Sequence, residues 1–574
     1  MKTTDYSLKE AEKMIYVEGK GLEPLSLLEE LEEDTSLDEK ERLQVKILKC
    51  HALHRNAGSR LERLEEARKL AREAYAAVLE LEQSVLFVDA LIVKLLGVWF
   101  EEDQHAELLR GIEKARNILQ SYDQLSSYRE GYLMYYKGEI HLYRDENEMV
   151  LRCYQKALAI FEELEIKFMI SRVLWRLGNY YDAGEGDKAK SLPYFHKSLA
   201  IAEELDIKTY MGWPCLSIGY YYHDFQGDLD QAMHYYQKSL ESWTDAGNYS
   251  AWRPMSEIGR LYLSKGQLEP ALEYALKSLQ ITREALGNDP RNASHRRCTM
   301  ITSMIVGQVY HALGNYDKAL EHYQLGLEMA KELLSEQKER GPPTHSFVSR
   351  FLYFLFSLHL ERDHVEVARG YLQQMKELAE NTEQHPAKSQ RRVTSLHYRL
   401  GKARILKNSS RFVDKAKSQA ILQDLVAEEV ILYQFTFEAM LYLCELLFEE
   451  LKLSGDEIIL EETKGLSKKI HEIGQKYHAY PAIVNALILQ AKLAILEADI
   501  DGATQRLARA AQLAEERDLV LLQKKVKQEQ IDLDEQLEQW KELYERNAPL
   551  YERITHARFA KYFKEAQKMI EMMK

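Results

Sequence analysis

Proline and glycine are scarce, 11 and 27 residues in a chain of 574. With so few breakers there is little room for long loops, and a mostly helical chain is favoured. Cysteine is scarcer still. Cys50, Cys153, Cys215, Cys298 and Cys444 lie far apart with no CxxC pair. That is neither a zinc-site spacing nor a disulfide framework, and it points to a reducing compartment. No run approaches the roughly 18 apolar residues that a membrane span needs. The opening stretch MKTTDYSLKEAEKM lacks the apolar segment of a secretory signal, so a cytoplasmic protein is expected. Positive charge is not in excess either. The net charge is −14, which disfavours broad contact with nucleic acid or an anionic membrane, since both rely on Lys and Arg.

Catalytic and ligand-binding motifs are missing as well. The stretch LGNYYDAGEGDKAKSLPYF, Leu177 to Phe195, has two glycines followed by a lysine and a serine. A phosphate loop needs GxxxxGK[ST] after a buried strand. Here the lysine is out of register and the preceding residues have a helical pattern, so Gly184 and Gly186 read as turn residues. HLERDH, His359 to His364, is not HExxH, because its histidines are five apart. His51 and His54 are three apart, with no carboxylate at a ligand-like spacing. Asn292-Ala293-Ser294 fits a glycosylation acceptor, which a cytoplasmic chain does not use. No GxSxG and no nucleophile–base pair can be made out. No catalytic residue, metal site or cofactor is expected, and the chain reads as a non-enzyme.

What is present is a repeat. Gly97, Gly138, Gly178, Gly219, Gly259 and Gly307 recur at steps of 41, 40, 41, 40 and 48 residues. Three residues after each comes Phe100, His141, Tyr181, Tyr222, Tyr262 or Tyr310. After the last four markers an alanine follows (Ala189, Ala232, Ala271, Ala319), then aromatics (Tyr194-Phe195, Tyr235-Tyr236, Tyr274, Tyr323), then a leucine (Leu199, Leu240, Leu279, Leu327). Apolar residues at spacings of three and four on both sides of a short break make two amphipathic helices. The breaks GEGD, QGD, KGQ and LGN supply glycine for a left-handed helix end. The small marker glycine and alanine allow the two helices to approach closely, and the aromatics fill the remaining space. The insertion GNDPRNASHRRC, Gly287 to Cys298, is expected to account for the step of 48. A length of 574 residues exceeds one ordinary core, but a repeat array grows without enlarging any single core.

These residues, above all LGNYDKALEHYQLGLEMAKEL from Leu313 to Leu333, resemble the tetratricopeptide repeat family. Steps near 40 are similar to its longer-helix members in kinesin light chain and bacterial regulatory proteins. The resemblance implies an all-α fold, a right-handed superhelical solenoid of antiparallel helix pairs. It is strong from about residue 91 to 334. Residues 1–90 are expected to form a divergent helical cap, 335–518 divergent pairs of the same kind, and 519–574 two long capping helices broken near Asn547-Ala548-Pro549. The last turn, with Met569, Met572 and Met573, is an alternative docking point for a partner.

The resemblance also implies that the first helix of each pair lines a concave groove. Relative to the marker glycine, positions −6, −3, +1 and +5 fall on one helical face, with −2 beside them. In this chain that set includes Tyr132, Tyr135, Tyr136 and Glu139; Arg172, Trp175, Arg176 and Asn179; Trp213, Ser217, Tyr220 and Asp224; and Arg253, Glu257 and Arg260. Aromatics and arginine dominate binding hot spots, and Asn179 matches the family's backbone-holding asparagine. The same side chains would also suit packing between neighbouring helices. Pro214 and Pro254 share offset −5 and read as first-turn prolines. The expected function is a non-catalytic scaffold that holds a peptide or helix of a partner protein. The alternative is a sensory module that binds a small peptide or metabolite and responds by a change of superhelix shape.

Overall fold

The structure is a computed structural model that describes residues 2–56, 61–79, 84–97, 105–122, 127–144, 146–184, 188–226, 228–245, 249–290, 292–336, 344–385, 388–428 and 433–573. Among these residues there are twenty-eight α-helices and no strand. Consecutive helices joined by short turns pack against each other as antiparallel pairs, which gives an all-α solenoid. The chain forms two compact units. One holds Met1–Tyr221 and Asp230–Met255, and the other holds Tyr222–Leu229, Ser256–Glu336 and Pro343–Lys574. No helix among the described residues is long and apolar enough to cross a membrane.

The repeat works as a key between the two helices of a pair. A Cβ at Gly138 would lie 2.6 Å from the ring of Tyr154, and one at Gly307 would lie 2.6 Å from Tyr323. Gly178 and Gly219 press in the same way on Phe195 and Tyr236. Each ring sits in the gap left by the missing side chain, and all four rings are buried. The Gly259 pair has no ring in that slot. There the facing backbone takes it: a Cβ at Gly259 would lie 3.3 Å from the Ala271 carbonyl oxygen and from the Ala275 amide nitrogen. Of the expected small alanines, Ala232, Ala271 and Ala319 are fully buried. Ala189 is exposed, and Ser191, two residues on, is buried in its place. The marker Gly97 ends the helix Val85–Gly97, and Phe100 lies outside the described residues.

Helix ends close as the breaks require. Gly266 and Gly314, from KGQ and LGN, adopt φ of +75° and +76°. Several equivalent positions are not glycine: Glu165, Asp206 and Asp363 adopt φ of 54°, 51° and 58°. The next amide reaches back five residues, as in Ile166 N–H to the Phe161 carbonyl at 2.9 Å, which satisfies an orphan carbonyl of the helix end. Gly184 ends a π-helical turn, Tyr180–Gly184, that continues the helix Lys167–Asn179; Gly186 lies outside the described residues. A second π turn, Tyr221–Gln226, follows Lys208–Tyr220.

The stretch Gly287 to Cys298 enters as longer helices: most of its residues extend Leu268–Asn288 and Ala293–Ala312, which run 21 and 20 residues. The side chain of Asn292 caps the second of these helices by accepting from Ser294 N–H at 2.9 Å and His295 N–H at 3.2 Å. Two expectations are corrected. Pro214 is not in a first turn, because its helix begins at Lys208 and carries the proline inside; Pro254 is in the first turn of Trp252–Lys265. The C-terminal segment is four helices, Val520–Glu535, Leu537–Glu545, Leu550–His556 and Phe559–Met573. The break at Asn547-Ala548-Pro549 is present. A further break is set by Arg558, a left-handed residue with no glycine to announce it.

Within the second unit the last helix lies against Ala293–Ala312, Tyr433–Ser454 and Tyr480–Leu496, each the first helix of its pair. It therefore covers the unit's inner face. Phe559 stacks on Phe448 at 3.9 Å, and the Tyr562 hydroxyl donates to the Asn485 carbonyl at 2.7 Å. Elsewhere in this unit, Gln267 and Lys265 reach Asp518 at 2.5 and 3.9 Å.

Candidate functional site

The eleven candidate residues divide by burial. Tyr132, Tyr135 and Tyr136, expected on an open groove, are buried at 1%, 0% and 3% exposure. N-terminal helices account for the burial of Tyr132, since Tyr16 and His51 meet its ring edge-on at 5.6 and 5.8 Å. No repeat spacing could announce partners so far upstream. Arg172, Trp175, Arg176, Asn179, Trp213, Tyr220, Arg253 and Arg260 are half-buried. Seven of these belong to the first unit. Arg260 belongs to the second, where it pairs with Glu257 at 2.9 Å and Asp224 at 3.2 Å.

In the first unit the side chains form a ladder across successive first helices. On Tyr128–Tyr143, buried Glu139 accepts from the Tyr154 hydroxyl at 2.5 Å and from the guanidinium of Arg176. The Tyr135 hydroxyl accepts from Arg172 Nε at 2.9 Å, and the Arg172 guanidinium lies 5.1 Å from the Tyr135 ring centre. On Lys167–Asn179, Arg176 also covers the Trp175 ring at 4.6 Å. The Trp175 indole N–H donates to Ser217 Oγ at 2.9 Å, and its ring packs 5.1 Å from Trp213 on the next first helix. Trp213 in turn meets buried Trp243 edge-on at 4.9 Å and lies under Arg253 at 5.3 Å. Arg253 also lies 4.6 Å over Trp252. Two indoles inclined at 35° thus sit between two guanidinium groups, with cation–π attraction at each end. Asn179 makes no side-chain hydrogen bond among the described residues.

Trp243 and Trp252 belong to this cluster but are absent from the groove positions read from the repeat. A signal was available: four of the chain's six tryptophans fall between residues 175 and 252. Ser217 and Glu139 are structural partners of the ladder rather than open groove residues.

The arrangement holds no evident reactive group. All five cysteines are free thiols in buried positions, and burial pushes the Cys50, Cys215 and Cys444 thiols up to about 12, far from thiolate reactivity. Among the described residues no cluster of His, Cys, Asp and Glu could hold a metal ion. His51 is buried, and His54 bonds the Leu96 carbonyl at 2.8 Å.

Tetratricopeptide repeat models match residues 214–242, 255–292 and 304–333. No curated protein sequence matches the chain. Similar solved structures include a Rap protein complexed with competence and sporulation factor (13% identity, TM-score 0.45, 67% of this chain and all of that one). Aspartyl phosphate phosphatase F of Bacillus subtilis is 14% identical, with TM-score 0.38 over 65% of this chain and 93% of its own. The human IFIT1 dimer with m7Gppp-AAAA is 16% identical, with TM-score 0.38 over 88% and 95%. These likenesses are too distant to carry a function across. The matched repeats coincide with helix pairs whose spacing recurs on either side of them, and the chain carries tetratricopeptide repeats.

Proposed function

We propose that the chain is a non-catalytic, cytoplasmic interaction protein, and that the Arg172–Trp175–Trp213–Arg253 surface of its first unit receives a segment of a partner protein. That segment would be a peptide or helix carrying acidic and aromatic side chains. The observation that carries this reading is Arg172. The residue is half-buried, its one hydrogen bond among the described residues goes to a neutral phenol, and it makes no ion pair there, although Glu139 lies close enough to favour its charge. A cation on the same first helix as half-buried Trp175, with no carboxylate paired to it, is prepared for an acidic group brought by a partner, because guanidinium forks onto carboxylates. The indoles supply rigid apolar area of the kind that anchors interfaces.

The test is selection from a random peptide library on the full chain. Enrichment of peptides that combine Asp or Glu with an aromatic residue is expected, with at least tenfold weaker binding to Arg172→Glu. Selected peptides without acidic residues, or binding indifferent to Arg172→Glu, would remove the basis of the proposal.

A further inference from the structure

Beneath the C-terminal helix of the second unit lies a cavity of about 410 Å³, within the size range of small-molecule sites. Four cations line it: Arg404 and Lys407 from the helix Lys388–Lys407, and Lys564 and Lys568 from Phe559–Met573. Glu361 is the single carboxylate in the lining, and it is engaged with His311 at 3.0 Å. The two inner cations are already matched. Arg404 is buried, donates to Ser357 and lies 3.4 Å from Glu438; Lys407 pairs with Glu445 at 2.9 Å.

The two outer cations are not matched. Lys564 and Lys568 are exposed and make no ion pair or hydrogen bond among the described residues. They stand four residues apart, one helical turn, an arrangement in which like charges destabilise a helix. This helix is also the one that closes the cavity. Gln567, between the lysines, ties it to the wall by donating to Glu445 at 2.8 Å, which holds the backbone that carries both lysines at the rim. Two cations left without a counter-charge at the rim of a ligand-sized space point to an anionic occupant.

We propose that this cavity binds a small polyanion bearing phosphate groups or several carboxylates, with Lys564 and Lys568 contacting it at the rim and the neutralised pairs of Arg404 and Lys407 forming the wall behind. Binding fastens the C-terminal helix to the inner face, since half of the ligand's contacts come from that helix. The site lies wholly within the second unit, so it stands or falls separately from the surface around Trp175.

The test is thermal unfolding of the full chain with tripolyphosphate or citrate, at ionic strength held constant with sodium chloride. A rise in Tm of about 3 °C or more is expected with at least one anion. Response to tripolyphosphate alone assigns phosphate chemistry, response to citrate alone assigns carboxylate chemistry, and response to both assigns charge as the recognised feature. The Lys564→Glu/Lys568→Glu variant is expected to lose the rise while keeping its own Tm, because neither side chain has a partner to lose. Should that variant not fold, Lys564→Gln/Lys568→Gln takes its place. No rise with either anion, or a rise that survives in the variant, overturns the proposal.

Discussion

Arg172 and Arg176 stand one helical turn apart and differ in what their removal would leave behind. Arg176 neutralises Glu139, a carboxylate at 5% exposure that otherwise accepts from the Tyr154 phenol. Stranding a buried charge costs about 3–5 kcal/mol, so Arg176→Met is expected to lower stability by that order in urea unfolding. Arg172→Met strands no carboxylate and is expected to cost no more than about 1 kcal/mol. Equal losses would mean that Arg172 is structural and not held for a partner. Lys525 offers a pH test at the same scale. Burial pushes its ammonium down to about 8, against the pull of Glu565 and Glu529, while Lys492 and Lys561 add to the lowering. An unfolded lysine titrates near 10.4. Between about pH 8 and 10.4 the unfolded chain therefore binds the extra proton, and stability rises with pH across that window. Relative to Lys525→Met, the wild type is expected to gain on the order of 2 kcal/mol from pH 7.5 to 10.5, and a flat difference would contradict the assignment. Neither the ion pair of Arg176 nor the burial of Lys525 can be read from composition or spacing, because both depend on residues brought together by folding.

Pairs of helices obey a simpler rule. The marker glycine and a ring 16 or 17 residues later form one interlock; Phe195, Tyr236 and Tyr323 were visible in the spacing, Tyr154 was not singled out, and the ring of Tyr274 does not fill the slot at Gly259. Gly219→Ala drives a methyl into the Tyr236 ring and is expected to cost about 1–3 kcal/mol, with part of the loss recovered in Gly219→Ala/Tyr236→Leu. Gly370 is the control: it lies mid-helix in Val365–Asn381 with nothing within 4 Å of its would-be Cβ. Gly370→Ala is expected to add about 0.5–1 kcal/mol. Thermal or urea unfolding reads both, and equal effects would dismiss the interlock. Helix ends were less legible. The breaks KGQ and LGN carry their glycine openly, whereas Glu165, Asp206 and Arg558 take the same left-handed turn with ordinary side chains. The two π turns also left no mark, since their residues YYDAG and YYHDFQ continue an aromatic helical pattern.

At the scale of the molecule, the periodic pattern identified stacked helix pairs but not what covers their inner faces. That is decided by residues far away in sequence. Tyr16 and His51 bury Tyr132 in the first unit, and the helix Phe559–Met573 covers first helices in the second. Half-exposed aromatic and arginine side chains remain between Arg172 and Arg253. Two compact units also imply separable unfolding. In a calorimetric scan, Gly178→Ala is expected to lower one transition and Gly307→Ala another, whereas a single transition moved equally by both would show one cooperative body. The most direct test of the account lies at the interface it assigns. For a peptide selected on the full chain, binding would be measured for Arg172 and Arg172→Glu against the peptide's acidic residue and its replacement by lysine. Each single reversal is expected to weaken binding about tenfold, near 1.4 kcal/mol, and the double reversal to restore most of it. Losses that simply add, with no recovery, would contradict a partner carboxylate at Arg172.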